Sequence, residues 1–307
     1  MPVREGYKFL YWQDGMSEFD FSKPITKDVN LMAKWLKLKP ITVVLNGVNT
    51  PIYIEPKNSY ELKDFDINIE GATLIGFYQK INNNFIEVDL SKGIDENSTI
   101  YADFMTEGLI IEQIVEKNEM QVVNYTGSAT NIIVPSFYYN MPVTKITNIN
   151  KANIDSIYFG NNIEILGEGS FSECVIKDIT LPSSITTIED SAFANSTINN
   201  INFAKESKLK TIGTGAFNNV KTLQKIILPY GLNKICELAF YYCEDLEVVY
   251  IPNTCTTLEK NIFAFCSNSI KVYRQHKRSD FTYNDLNWQN NPNGRLNVIY
   301  VSSVNDL

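Results

Sequence analysis

The sequence predicts a mainly β chain in which small repeated sheet modules precede a solenoid of short stacked turns. Two internal periods and the composition carry this expectation. Residues 19–35 match residues 88–104 without a gap, at an offset of 69. Further along, Phe171, Phe193, Phe217, Phe240 and Phe263 recur at separations of 22, 24, 23 and 23. The 307 residues are 44% hydrophobic and rich in Tyr, Phe, Ile and Val, which suit a pleated, half-buried surface.

In the first period Asp20/Asp89, Ser22/Ser91, Lys23/Lys92, Ile25/Ile94 and Ala33/Ala102 are identical, and Trp35/Phe104 keeps an aromatic. Upstream, Gly6–Trp12 corresponds to Gly71–Phe77, with a longer loop in the second copy. Residues 1–38 therefore read as a partial module without its opening strands, and residues 39–106 as a complete one. This half-and-whole pattern resembles the Listeria–Bacteroides repeat, also called the internalin B-repeat, a β-grasp-like module of surface proteins. The resemblance implies tandem spacers, and with them a truncation boundary at Met1; a natural start there is the alternative.

Residues 107–150 read as strands with turn signals at Asn124–Gly127 and Asn140–Pro142. From 151 to 275 the second period has a fixed phase. Five residues before each Phe lies Leu166, Ile188, Ile212, Ile235 or Leu258; one before lies Ser170, Ala192, Ala216, Ala239 or Ile262. Each unit also has a short strand such as Ile179-Thr180-Leu181-Pro182 or Val249-Tyr250-Ile251-Pro252. A unit this short cannot bury its own apolar face, so the units must stack around one continuous core. The third unit has Ile201-Asn202-Phe203-Ala204 in place of the Leu-Pro corner and a longer loop, so less regular stacking is expected there. Units such as LPSSITTIEDSAF and LPYGLNKICELAFYYC resemble BspA-type leucine-rich repeats. That resemblance implies an amino-terminal cap over 107–150 and a carboxy-terminal cap over 276–307.

A net charge of −8 and a pI near 4.9 oppose nucleic acid and anionic membrane surfaces. No stretch is long and apolar enough to span a bilayer, and the amino terminus lacks the apolar core of a secretory signal. Five cysteines, an odd number, and the single His276 argue against a metal, a cofactor or a nucleophilic catalytic set. Cys174, Cys243 and Cys266 fall three residues after the repeat Phe, where Ser196 and Val220 stand in other units, so they mark a small buried position. Cys243 and Cys266 lie on adjacent turns, which leaves a disulfide open. Gly167-Glu168-Gly169 and Gly213-Thr214-Gly215 share one repeat phase and read as turns, not phosphate loops. The paired acids Glu189-Asp190 and Glu244-Asp245 read as solvated loops. So does the basic run Arg274-Gln275-His276-Lys277-Arg278, with contact to an anionic glycan as the alternative. Asn97, Asn124 and Asn195 begin glycosylation patterns expected by chance in so Asn-, Ser- and Thr-rich a chain.

The middle residues of the stacked strands, Tyr158, Thr180, Asn202, Ile227, Tyr250 and Tyr273, are expected to form an exposed ladder. A companion row runs through Ser156, Asp178, Asn200, Lys225, Val248 and Lys271. Tyr offers much contact area at low entropic cost, so this ladder is the candidate ligand surface. The expectation is a non-enzymatic, extracellular or cell-surface adhesin, a monomeric solenoid presented to a host protein or surface glycan. A phage or virion receptor-binding component is the alternative.

Overall fold

The computed structural model describes residues 1–45, 48–82, 84–275, 292, 296–302 and 304. Among them are β-strands and two one-turn 3-10 segments, and no α-helix. They divide into two compact units, residues 1–68 with 74–103, and residues 69–73 with 104–307.

The first unit contains β1 (Tyr7–Asp14), β2 (Ser17–Glu18), β3 (Met32–Lys37), β4 (Lys39–Leu45), β5 (Val48–Ile54), β6 (Ala72–Ile81), β7 (Asn84–Glu87) and β8 (Thr99–Thr106), the last and β6 running on into the second unit. A small sheet has the order β2-β1-β3, and a larger one the order β5-β4-β8-β6-β7. Counted from its own first strand, the larger sheet runs 2-1-5-3-4, the β-grasp order. β4 pairs antiparallel with β5 and parallel with β8. The usual crossover helix is reduced to the single turn Leu62–Asp64.

The two sequence copies make the same local bonds. Tyr7 donates its N–H to the Arg4 carbonyl and Ala72 donates to Ile69, both at 3.1 Å. Phe19 donates to Trp12 as Val88 does to Phe77, both at 2.8 Å. The Asp20 carboxylate accepts the Ser22 N–H at 3.0 Å, and Asp89 accepts that of Ser91 at 3.1 Å. Burial separates them: none of residues 1–38 is fully buried, whereas the second copy buries Phe77, Tyr78 and Ile100 together with Ile41 and Val43 of β4. Among the described residues no hairpin equivalent to β4 and β5 pairs with the sheet of the first copy.

In the second unit the chain winds through parallel turns. Pairs such as Ile165–Leu166, Thr187–Ile188, Thr211–Ile212, Lys234–Ile235 and Thr257–Leu258 stack in register as one parallel sheet. Leu166, Ile188, Ile212 and Ile235 are buried, as are all five repeat Phe residues; Leu258, on the last of these rungs, is half-buried. The phenyl rings stack, with centroids 5.3, 5.1, 5.0 and 5.5 Å apart along the series Phe171, Phe193, Phe217, Phe240, Phe263. The core therefore runs down the solenoid axis as an aromatic column.

Backbone geometry explains the phase. Residues two before each Phe (Gly169, Ser191, Gly215, Leu238, Asn261) and two after (Glu173, Asn195, Asn219, Tyr242, Phe265) all have φ between 55° and 63°. These paired left-handed residues bend the chain around each phenylalanine. The Phe171, Phe193 and Phe217 N–H groups then reach the carbonyls of Ala192, Ala216 and Ala239 on the next turn, each at 2.7 Å. The side chain bears strain at such positions unless it is Gly. The glycine pairs therefore divide their roles. Gly169 is left-handed with open space where a Cβ would stand, whereas a Cβ on Gly213 would lie 2.6 Å from the Glu189 backbone and the Asp190 carboxylate. Gly169→Ala is expected to lose about 1 kcal/mol through φ strain. Gly213→Ala should lose about 3 kcal/mol through overpacking. Chemical denaturation of both variants checks the order; equal losses would contradict it.

Candidate binding face

The long strands of the turns carry the expected ladder, but the structure divides it. Val175–Leu181 pairs in parallel with Thr197–Phe203, which sets Thr180 beside Asn202 and Asp178 beside Asn200. Lys225–Ile227 pairs with Val248–Ile251, and that with Lys271–Arg274, which aligns Ile227, Tyr250 and Tyr273. Tyr158 pairs across from Ile133, on a strand that lies beside Val175–Leu181 without pairing with it. Among the described residues no strand pairing joins these three segments. The ladder is hydrogen-bonded in three segments that lie next to one another along the solenoid.

The second break has a visible cause. Strand spacing is 22 residues from Ile179 to Ile201 but 25 from Ile201 to Ile226. At the step, the Thr222 hydroxyl takes the place of a backbone partner: it accepts the Ile198 N–H and donates to the Ile198 carbonyl, both at 2.9 Å. The Ile198 backbone groups thus keep a partner where the sheet is interrupted. A cavity of about 700 Å³ opens at this break. Its lining brings together Asn200 and Asn202 from one side with Lys225 and Ile227 from the other, and adds Lys205 and Tyr230 from the loops. Tyr230 is 71% exposed. Sequence reasoning noted the irregular third unit but did not single out Lys205, Lys210 or Tyr230.

Tyr250 does not face solvent. It is 5% exposed, and its hydroxyl donates to the Gln275 side-chain oxygen at 2.9 Å, while the Gln275 amide donates to the Ser302 carbonyl at 3.0 Å. Gln275 links the ring to the strand end after Asn297–Tyr300, and period-2 alternation cannot anticipate that distant partner. The basic run also changes character. Arg274 is buried, with its guanidinium donating to the Cys255 carbonyl at 2.7 Å, so it is not part of a solvated charge patch. His276, Lys277 and Arg278, like most of residues 276–307, lie outside the described residues.

The cysteines occupy a donor position in the core. The Cys174, Cys243 and Cys266 thiols donate to the carbonyls of Ile149, Phe217 and Phe240 on the preceding turn at 3.0–3.1 Å, and the Ser196 hydroxyl does the same to Phe171 at 2.6 Å. All five cysteines are buried, and none is in a disulfide. Burial pushes the Cys174 and Cys255 thiols up to about 11 and that of Cys243 well above its ordinary range, so these sulfurs are hydrogen-bond donors and not nucleophiles. The paired acids are likewise structural. Glu189 forms a partly buried ion pair with Lys145 at 2.7 Å, and Asp190 accepts the Thr214 N–H at 2.7 Å. Lys145 crosses directly over Gly167, where a Cβ would meet its Cε at 2.7 Å. Glu244 pairs at the surface with Lys221.

The repeat phase matches a known family. Residues 149–270 match the model for "BspA type Leucine rich repeat region" in six copies. This segment is a BspA-type leucine-rich-repeat region. No curated protein matches the chain. Solved structures similar to it include a T. pallidum leucine-rich repeat protein, 17% identical over 54% of this chain and 69% of that one, with a TM-score of 0.37. The pneumococcal vaccine antigen PcpA is 20% identical over 57% of this chain and 50% of its own, at 0.35. A leucine-rich repeat protein of Bacteroides capillosus is 20% identical over 57% of this chain and 99% of its own, at 0.30. The BspA-type region coincides with the aromatic column and contains both the ladder patches from Tyr158 to Tyr250 and the cavity.

Proposed function

We propose that this chain is an extracellular binding protein that presents its BspA-type region to a host protein or surface glycan, with residues 1–106 as spacer modules of the internalin B-repeat kind. The observation that carries this reading is the division of labour in each turn. Phe, Ile and Cys side chains hold the core, while Asp178, Thr180, Asn200, Asn202 and Lys225 on the long strands are exposed and spend nothing on it. Repeat solenoids use such stacked surfaces for recognition.

The test immobilises the full chain against a panel of matrix proteins and glycans. A saturable ligand whose capture drops at least tenfold in Thr180→Arg or Lys225→Glu, with unfolding within about 0.5 kcal/mol of the parent as for ordinary surface substitutions, supports the reading. Capture unaltered by both would move the contact away from this face, and the absence of any saturable ligand would overturn the proposal.

A further inference from the structure

We infer that the cavity at the sheet break is a binding site for an anionic saccharide, one bearing carboxylate or sulfate groups; this rests on the binding role proposed above. The chain carries a net charge of −8, yet this cavity is lined by Lys205, Lys210 and Lys225 against the single carboxylate of Glu206. Four other solenoid lysines are neutralised by glutamates of other turns: Lys145 by Glu189, Lys221 by Glu244, Lys234 by Glu259 and Lys260 by Glu237. Among the described residues neither Lys205 nor Lys225 is in an ion pair, and Lys210 donates only to the Gly231 carbonyl, at 3.2 Å. Two uncommitted ammonium groups thus border one concavity, where a ligand anion would be favoured over the surrounding acidic surface.

The remaining lining selects a sugar over an acidic peptide. The exposed ring of Tyr230, with Ile227 at 39% exposure beside the same cavity, offers an apolar platform for the C–H face of a pyranose. Asn202 supplies both an amide donor and an acceptor for hydroxyl groups. Asn200 is already oriented by its own bond to Asp178 at 2.5 Å, so the polar rim is held in place. The strand edges at the break also frame a concavity that an uninterrupted sheet would not have. The irregular third unit is therefore what creates the site.

Biolayer interferometry on the full chain tests this with four probes: a chondroitin sulfate hexasaccharide, its desulfated form, a neutral chitin hexasaccharide and a decaglutamate peptide. The sulfated hexasaccharide is expected to bind, more weakly as salt rises. Lys205→Gln with Lys225→Gln should weaken it at least tenfold and Tyr230→Ala at least fivefold, while Lys177→Gln, an exposed lysine outside the cavity, leaves it unchanged. Because all four positions are exposed, melting temperatures should stay at the parent value. Binding that survives both cavity variants, decaglutamate bound as tightly as the saccharide, or no saccharide bound at all would overturn the site. A chain that fails here but still captures another ligand of the panel through Thr180 keeps its binding role; failure in both assays removes that role as well.

Discussion

Phe217→Ala is expected to lose about 3–5 kcal/mol of stability, the cost of emptying a large buried aromatic position. Phe217 is fully buried at the centre of the column, with Phe193 and Phe240 rings 5.1 and 5.0 Å away and nearly parallel to it. Its backbone is tied twice to the following turn, because its N–H goes to Ala239 and its carbonyl receives the Cys243 thiol, while the adjoining Ala216 carbonyl accepts the Phe193 N–H of the preceding turn. In a solenoid each turn rests chiefly on its nearest neighbours, so a cavity at the centre weakens two interfaces at once. Urea unfolding of the variant should therefore show a much lower midpoint. Phe21→Ala, at a position 63% exposed, should stay within about 0.5 kcal/mol of the parent. Equal effects of the two substitutions would contradict the aromatic column as the source of stability.

The second large effect is alkaline. Cys174 and Cys255 ionise near 9 when unperturbed and only at about 11 in the folded chain, because burial disfavours the thiolate. The folded state thus keeps protons that the unfolded state releases, and stability must fall as pH rises between these values. Below about pH 9 both states hold the proton and the contribution is level. Two units at each thiol correspond to about 2.7 kcal/mol apiece, roughly 5 kcal/mol in all by pH 11. Denaturation midpoints measured from pH 8 to 11 should trace this decline, and the Cys174→Ser, Cys255→Ser double variant should lose the share of these two thiols and keep that of Cys243, whose thiol is also pushed well above its ordinary range. An unchanged slope in the double variant would show that other groups control alkaline unfolding.

Much of this architecture was legible in the sequence because a stacked turn must return to the same place with each repeat. The Phe spacing fixed the core positions, and the aliphatic five residues earlier fixed the second row; both depend only on local period. The exposed Thr180 and Asn202 followed from alternation for the same reason. Features set by partners far along the chain did not. Tyr250 alternates outward but is covered by Gln275, and Arg274 reads as a surface charge but donates to the Cys255 carbonyl. The cavity left a faint trace, the missing Leu-Pro corner and the longer third unit. What converts that trace into a site is the Thr222 hydroxyl, which satisfies Ile198 and lets the sheet stop, and no period in the sequence marks it. The left-handed residues flanking each Phe were equally hidden, since Leu238, Tyr242 and Phe265 give no compositional sign of positive φ.

Immunogold labelling of intact source cells and culture particles with an antibody to the BspA-type region tests whether the solenoid works outside the cell as a binding surface. Label is expected on the outer face of the cell envelope. Label confined to the cell interior, or to phage-like particles in the culture, would contradict it.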